Sequence, residues 1–204
     1  IYCHYTTHGV LNWIQCVLAF FLWLNVVICY WEISLGLRID YIASEYEKIK
    51  AGERGTRAQV VWDFFNMKVT PFNVLSPTLW AHVWSSYASW DDSYADRKSF
   101  GFFADVGNGI STLIPSFILL FGMTHDFLSP RVLGVIGLVF FYQFFYQTSL
   151  YFFAYMFNKR YQGLTAAGLI GWVGGTNGFW IVIPLIGIYA SLRLIFENSF
   201  AVFL

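Results

Sequence analysis

VLNWIQCVLAFFLWLNVVICYWEISLGL, residues 10–37, decides the fold. Its one charged side chain is Glu32. A helix needs about 20 consecutive apolar residues to cross the hydrocarbon core of a bilayer, and this stretch is longer. Three more apolar segments follow, at about 100–123, 132–157 and 164–195. Short links, Thr124 to Arg131 and Asn158 to Gly163, join the last three, which predicts antiparallel neighbours. The expected fold is all-α: one integral membrane four-helix bundle over 1–204, with spans at 10–37, 100–123, 132–157 and 164–195 and a polar link at 38–99.

Composition points the same way. Of 204 residues, 57 % are hydrophobic, 22 % aromatic and 12 % charged, and mean hydropathy is +0.55. An average soluble domain is roughly 25 % charged, so too few charges remain to cover a soluble globule. Twelve Lys/Arg balance twelve Asp/Glu. The chain therefore has no basic face for nucleic acid, and its hydrophobicity excludes a disordered chain. The partners expected are membrane lipids and a lipid-like ligand. Three cysteines with no C-x-x-C spacing give neither a disulfide framework nor a zinc site. Residue 1 is Ile rather than Met, so no targeting peptide is assigned.

Sixteen of the twenty-four charges fall within residues 38–99. In this link, Ser76-Pro77-Thr78 is a helix start. Leu79, Trp80, Val83, Trp84, Tyr87 and Trp90 then recur at helical spacing. The spacing predicts an amphipathic helix, either lying at the membrane interface or capping the bundle. The 38–99 and 158–163 links share one side of the membrane and together hold ten Lys/Arg, which places them in the cytoplasm.

Each span carries a polar stripe. The first has Asn25, Cys29 and Glu32; the second Asp105, Asn108 and Thr112. The third has Gln143, Tyr146 and Gln147; the fourth Asn177 and Trp180. Lipid offers no hydrogen-bond partners, so such stripes turn inward. Asn108, Gln143 and Gln147 suit polar contacts that hold a bundle together. Glu32 and Asp105 are costlier, and an ionisable group in a span is a functional hypothesis. Two carboxyls in one dry chamber do not both ionise cheaply, so one keeps its proton and becomes a donor. The alternative sets both acids near headgroups, wetted by water. Gly171 and Gly175 have the small-xxx-small spacing of close helix packing. His4 and His8 stand one helical turn apart without a third ligand and read as surface histidines, so no metal site is expected. No Walker loop, dinucleotide fingerprint or nucleophile elbow occurs, and no cofactor is expected.

Three stretches carry a resemblance. Asn177-Gly178-Phe179-Trp180-Ile181-Val182-Ile183-Pro184 resembles an Asn-x-x-Trp-x-x-x-Pro motif. Trp84–Tyr94 (WSSYASWDDSY) resembles Trp-x-x-Tyr-Ala-x-x-Asp, and Tyr146–Phe152 (YQTSLYF) resembles Tyr-x-x-x-Leu-Tyr-Phe. In this order they are similar to the EXPERA superfamily, which includes the emopamil-binding sterol Δ8-Δ7 isomerases and the sigma-2-receptor-like proteins. The resemblance covers roughly residues 20–195. It implies a four-helix core, an internal membrane such as the endoplasmic reticulum, and a sterol or other polycyclic lipid as ligand. It also implies that Asn177 and Trp180 contact the ligand. The family's His-x-x-x-Glu falls on Asn25 and Cys29 here, with Glu32 one turn further on, near the place where sigma-2-like members keep an acid. The family's acid in the next span has its counterpart near Asp105 or Asn108.

Three functions remain open on these residues. The first is a sterol or lipid isomerase in which Glu32 and Asp105 exchange protons and Asn25, Asn108, Tyr146, Gln147, Asn177 and Trp180 line the ligand. The second is a non-catalytic sterol- or amphiphile-binding protein with the same cavity. The third is a structural subunit of a larger membrane complex, or a homodimer.

Overall fold

The computed structural model describes residues 1–204, and every regular element is helical. In chain order these are α1 (Tyr2–His8), α2 (Trp13–Leu37), α3 (Ile39–Lys50), α4 (Arg57–Phe65), α5 (Pro77–Ala88), α6 (Phe100–Ser111), α7 (Leu113–Gly122), α8 (Pro130–Phe157) and α9 (Ala166–Glu197). Within α9, Leu169–Gly175 form a π-helical stretch. Three helices (α2, α8 and α9) are long and apolar enough to cross a membrane, or four if the bent pair α6 and α7 counts as one span. The chain divides into two compact units. The first comprises Ile1–Ile28, Ser111–Leu150 and Asn177–Leu204, and the second Cys29–Ile110 and Tyr151–Thr176.

The first unit is built around aromatic side chains. Leu18, Phe21, Leu22, Phe140, Phe141, Phe144 and Leu194 are buried together. Trp180 closes on this cluster, its ring 4.8 Å from Phe21 and 5.1 Å from Phe144. Glycines let the helices touch. A Cβ at Gly134 would lie 2.8 Å from the Ser191 carbonyl, and one at Gly137 would lie 2.5 Å from Ser191 Oγ. By contrast, a Cβ at Gly171 meets nothing within 4 Å, and one at Gly175 meets only the Ile170 carbonyl at 3.4 Å. The expected Gly171/Gly175 packing face is thus corrected: both lie in the π-helical stretch and neither approaches another helix.

His4 is also corrected. It is fully buried, with Nε2 3.0 Å from the Phe203 carbonyl and Nδ1 3.3 Å from Thr124 Oγ1. His8 Nε2 donates to the Thr124 carbonyl at 2.9 Å. The pair ties α1 to two other segments of its unit, and no cluster of three metal-ligating side chains exists.

In the second unit, α5 starts at Pro77 as its sequence predicts. Its apolar side, however, faces protein: Leu79, Ala81, Trp84 and Ala88 are buried. Trp84 Nε1 donates to the Trp31 carbonyl at 2.7 Å, and Ala81 and Trp84 share a core with Ile39 and Ile42 of α3. One side of α5 is thus packed against the matching apolar face of α3.

On α3, the buried Glu45 carboxylate accepts from Lys48 Nζ at 2.6 Å and from Arg54 Nη2 at 2.5 Å. Burial raises the Glu45 carboxyl, but the two cationic partners outweigh it and hold it below the ordinary carboxylate value of 4.5. A carboxylate depressed on folding stabilises the protein above its unfolded value and loses that contribution as pH falls through its folded one. Glu45→Gln is expected to flatten the loss of stability below about pH 4.5 relative to the unmodified chain. Melting temperatures of the two proteins between pH 3 and 6 check this, and parallel curves would refute it.

Candidate functional site

The site begins with a close helix crossing inside the second unit. A Cβ at Gly109 of α6 would stand 2.8 Å from Glu32 Cβ, 2.9 Å from the Cys29 carbonyl and 3.1 Å from the Ile33 amide nitrogen. Only glycine allows backbones this near. One turn along, a Cβ at Gly36 would touch Val106 at 3.1 Å. The crossing brings Glu32 of α2 within electrostatic reach of Asp105 of α6. Glu32 is 4 % exposed, and its Oε2 has no hydrogen-bond partner. Asp105 is half-buried. Asn108, one turn further along α6, is buried as well.

Aromatic rings stand beside the acids. The Tyr94 hydroxyl lies next to the Asp105 carboxyl. The Trp84 ring stacks on Tyr94 at 5.0 Å, and Tyr87 meets Tyr94 edge-on at 5.1 Å. Burial first, and then the Asp105 carboxyl, push the Tyr94 phenol well above 10, so it remains a neutral donor. Tyr94 is held in place by the short 3-10 turn Asp92–Ala95, which Asp91 caps by accepting from the Ser93 amide at 3.0 Å.

Asp91 is the second polar centre. It is buried and accepts from the Tyr151 hydroxyl at 2.7 Å, with Arg160 Nη1 3.5 Å away. Burial pushes its carboxyl up, against the opposing pull of Tyr151, the Ser93 amide and Arg160. Sequence reasoning passed over Asp91, Tyr94, Tyr151 and Arg160 as site residues. Their signal was present: Asp91 and Tyr94 sit in the WSSYASWDDSY run, Tyr151 in YQTSLYF, and Arg160 in the short 158–163 link.

The remaining expected site residues lie in the first unit. Asn25 donates through Nδ2 to Thr112 Oγ1 at 3.1 Å and to Ser116 Oγ at 2.9 Å, a helix-to-helix clasp. Gln143, on the same helix as Gln147, donates to Ser111 Oγ at 3.0 Å, and Gln147 Oε1 is buried without a partner. Asn177 begins this unit's share of α9. Trp180 is partly buried against the aromatic core. Tyr146 is 49 % exposed and stacks on Tyr142 at 5.8 Å. The α8 faces bearing Phe140 and Phe144 turn inward and leave Tyr146 half-exposed.

The second unit therefore combines an unpartnered buried carboxyl, a second carboxyl beside a neutral phenol, and indole and phenol faces. Such a set can donate a proton, accept one, and stabilise a cation between aromatic faces. Compared with family models, curated proteins and solved structures, the chain matches none.

Proposed function

We propose that this chain is a membrane-embedded four-helix protein of an internal membrane that binds a sterol or other polycyclic lipid and shifts its double bond. The observation carrying this reading is the pairing of Glu32 with Asp105, the acids of two apolar segments, beside the Trp84–Tyr94 stack. Glu32 acts as the acid. Its O–H bond breaks as a C–H bond forms on one alkene carbon, leaving a tertiary carbocation. The aromatic faces of Trp84 and Tyr94 lower the energy of that cation. Asp105 takes a proton from the neighbouring carbon, and the electrons of that C–H bond form the new alkene. Proton count and oxidation state are unchanged, so no cofactor enters. The Tyr94 hydroxyl orients the Asp105 carboxylate. Trp180 is left out of this step because it belongs to the other compact unit.

The test is turnover of a Δ8 sterol in lipid nanodiscs made with heavy water. The wild-type chain is expected to release a Δ7 sterol carrying one deuterium. Glu32→Gln and Asp105→Asn are each expected to slow this by about 100-fold or more while keeping the wild-type melting temperature. Sterol-induced thermal stabilisation without product would make the protein a binder only. Wild-type rates in both variants would end the acid–base assignment.

A further inference from the structure

Residues 57–76 expose five large apolar side chains of the second unit. Helix α4 opens with a capping box, in which the Gln59 amide donates to Thr56 Oγ1 and the Thr56 amide to Gln59 Oε1. Its inner side, Val60 and Phe64, helps line a cavity of about 180 Å³ together with Ile49 and His82. Its outer side presents Trp62 and Phe65, both about two-thirds exposed. The loop after it adds Val69, Leu75 and Phe72, the last 98 % exposed. Charge is sparse here: Arg57, Asp63 and Lys68.

This loop is pinned to an apolar helix. The Leu75 carbonyl accepts from the Tyr30 hydroxyl of α2. The Val74 carbonyl accepts from Trp80 Nε1 at 2.5 Å, and Trp80 stacks on Trp31 of α2 at 5.3 Å. The loop's stem is thus fixed alongside a helix long and apolar enough to cross a membrane.

The loop also satisfies much of its own backbone. The Thr70 amide donates to Asn73 Oδ1 at 2.7 Å. Asn73 and Val74 amides both reach the Thr70 carbonyl, and the Ser76 amide reaches the Asn73 carbonyl. Pro71 has no amide hydrogen to place. Non-helical backbone is not tolerated in the hydrocarbon itself, so the loop's backbone stays at headgroup level, where water reaches its remaining amides, and only its side chains enter the acyl region.

We infer that α4 and the loop through Leu75 form a monotopic insertion, with Trp62, Phe65, Phe72 and Leu75 buried among lipid acyl chains rather than in water or against a protein. The inference rests on reading α2 as a membrane span. Depth is that of an interfacial element, about 5–10 Å into the headgroup–acyl boundary, with Lys68 and Arg57 left for the headgroups. The lipid-facing aromatics of this insertion come from α4 and the loop.

The test places one nitroxide label at a time in phosphatidylcholine vesicles. The labels go on Phe72→Cys, on Phe103→Cys of α6 and on Glu53→Cys, in a full-length background with Cys3, Cys16 and Cys29 replaced. That background must melt as the wild type does. Phe72 and Phe103 are exposed, so labels there displace no core. Collisions with oxygen, which partitions into lipid, and with a water-soluble nickel chelate are then compared. Position 72 is expected to resemble position 103, with an oxygen-to-nickel ratio several-fold above that at position 53. A ratio at 72 equal to that at 53, with 103 lipid-like, overturns the inference alone. Low access of both reagents at 72 also overturns it, since a protein surface would then cover the loop. If 103 is itself water-like, the membrane reading of the apolar helices falls instead.

Discussion

Asp91→Ala is expected to cost about 3–5 kcal/mol of stability, measured by thermal unfolding of the detergent-solubilised chain. The substitution strands three groups. The Tyr151 hydroxyl loses its acceptor at 2.7 Å, and the Ser93 amide loses the cap of its turn. Arg160, only 14 % exposed, keeps just the exposed Asp92 carboxylate at 3.8 Å. Removing one member of a buried charged pair costs more than the pair itself contributes, because the other stays desolvated. Asp91→Asn keeps an oxygen for one donor and is expected to cost about 1–2 kcal/mol.

The pH dependence has a definite sign. Burial dominates at Asp91 and raises its folded value above the ordinary 3.8. The folded chain then holds this proton longer than the unfolded chain does. Stability from this group falls as pH rises from about 3.8 through the folded value and is level above it. Asp91→Asn removes that slope. An unchanged slope in Asp91→Asn would show that the carboxyl is not buried as described.

Gly187→Ala is the second large effect, at about 1–3 kcal/mol for a single added methyl group. A Cβ there would stand 2.3 Å from Phe141 Cγ, with two further ring atoms at 2.4 and 2.5 Å. The ring has little room to move, because Phe21 lies 6.1 Å and Phe140 5.1 Å away, centroid to centroid. Phe141→Leu should relieve the clash, and a double-mutant cycle of the two is expected to show coupling of about 1 kcal/mol or more. Gly171→Ala, which meets no neighbour, is the control and should change stability by about 0.5 kcal/mol or less. Equal losses at 187 and 171 would contradict the packing described here.

Much of the helical pattern was legible in the chain. Segments expected at 100–123 and 132–157 appear as the pair α6/α7, ending at Gly122, and as α8, Pro130–Phe157. Runs of apolar residues longer than a globular helix needs leave few alternatives. The Pro77 start of α5 was equally readable, since a proline is tolerated in the first turn. Which glycines touch was not readable. Spacing singled out Gly171 and Gly175, whereas Gly109, Gly134 and Gly187 make the close approaches.

The sequence alone determined the composition of each helix and the presence of two acids, Glu32 and Asp105, in apolar stretches, because hydrophobic length and charge are local properties. Tertiary structure decided that these two acids stand together, that Asp91 joins Tyr151 and Arg160, and that Trp180 packs against the first unit's aromatic core. It also turned α5 inward and left Phe72 outside. Each of these depends on which surfaces meet, and pairing between segments scores of residues apart is decided by shape and desolvation, which periodicity along one strand of sequence does not encode.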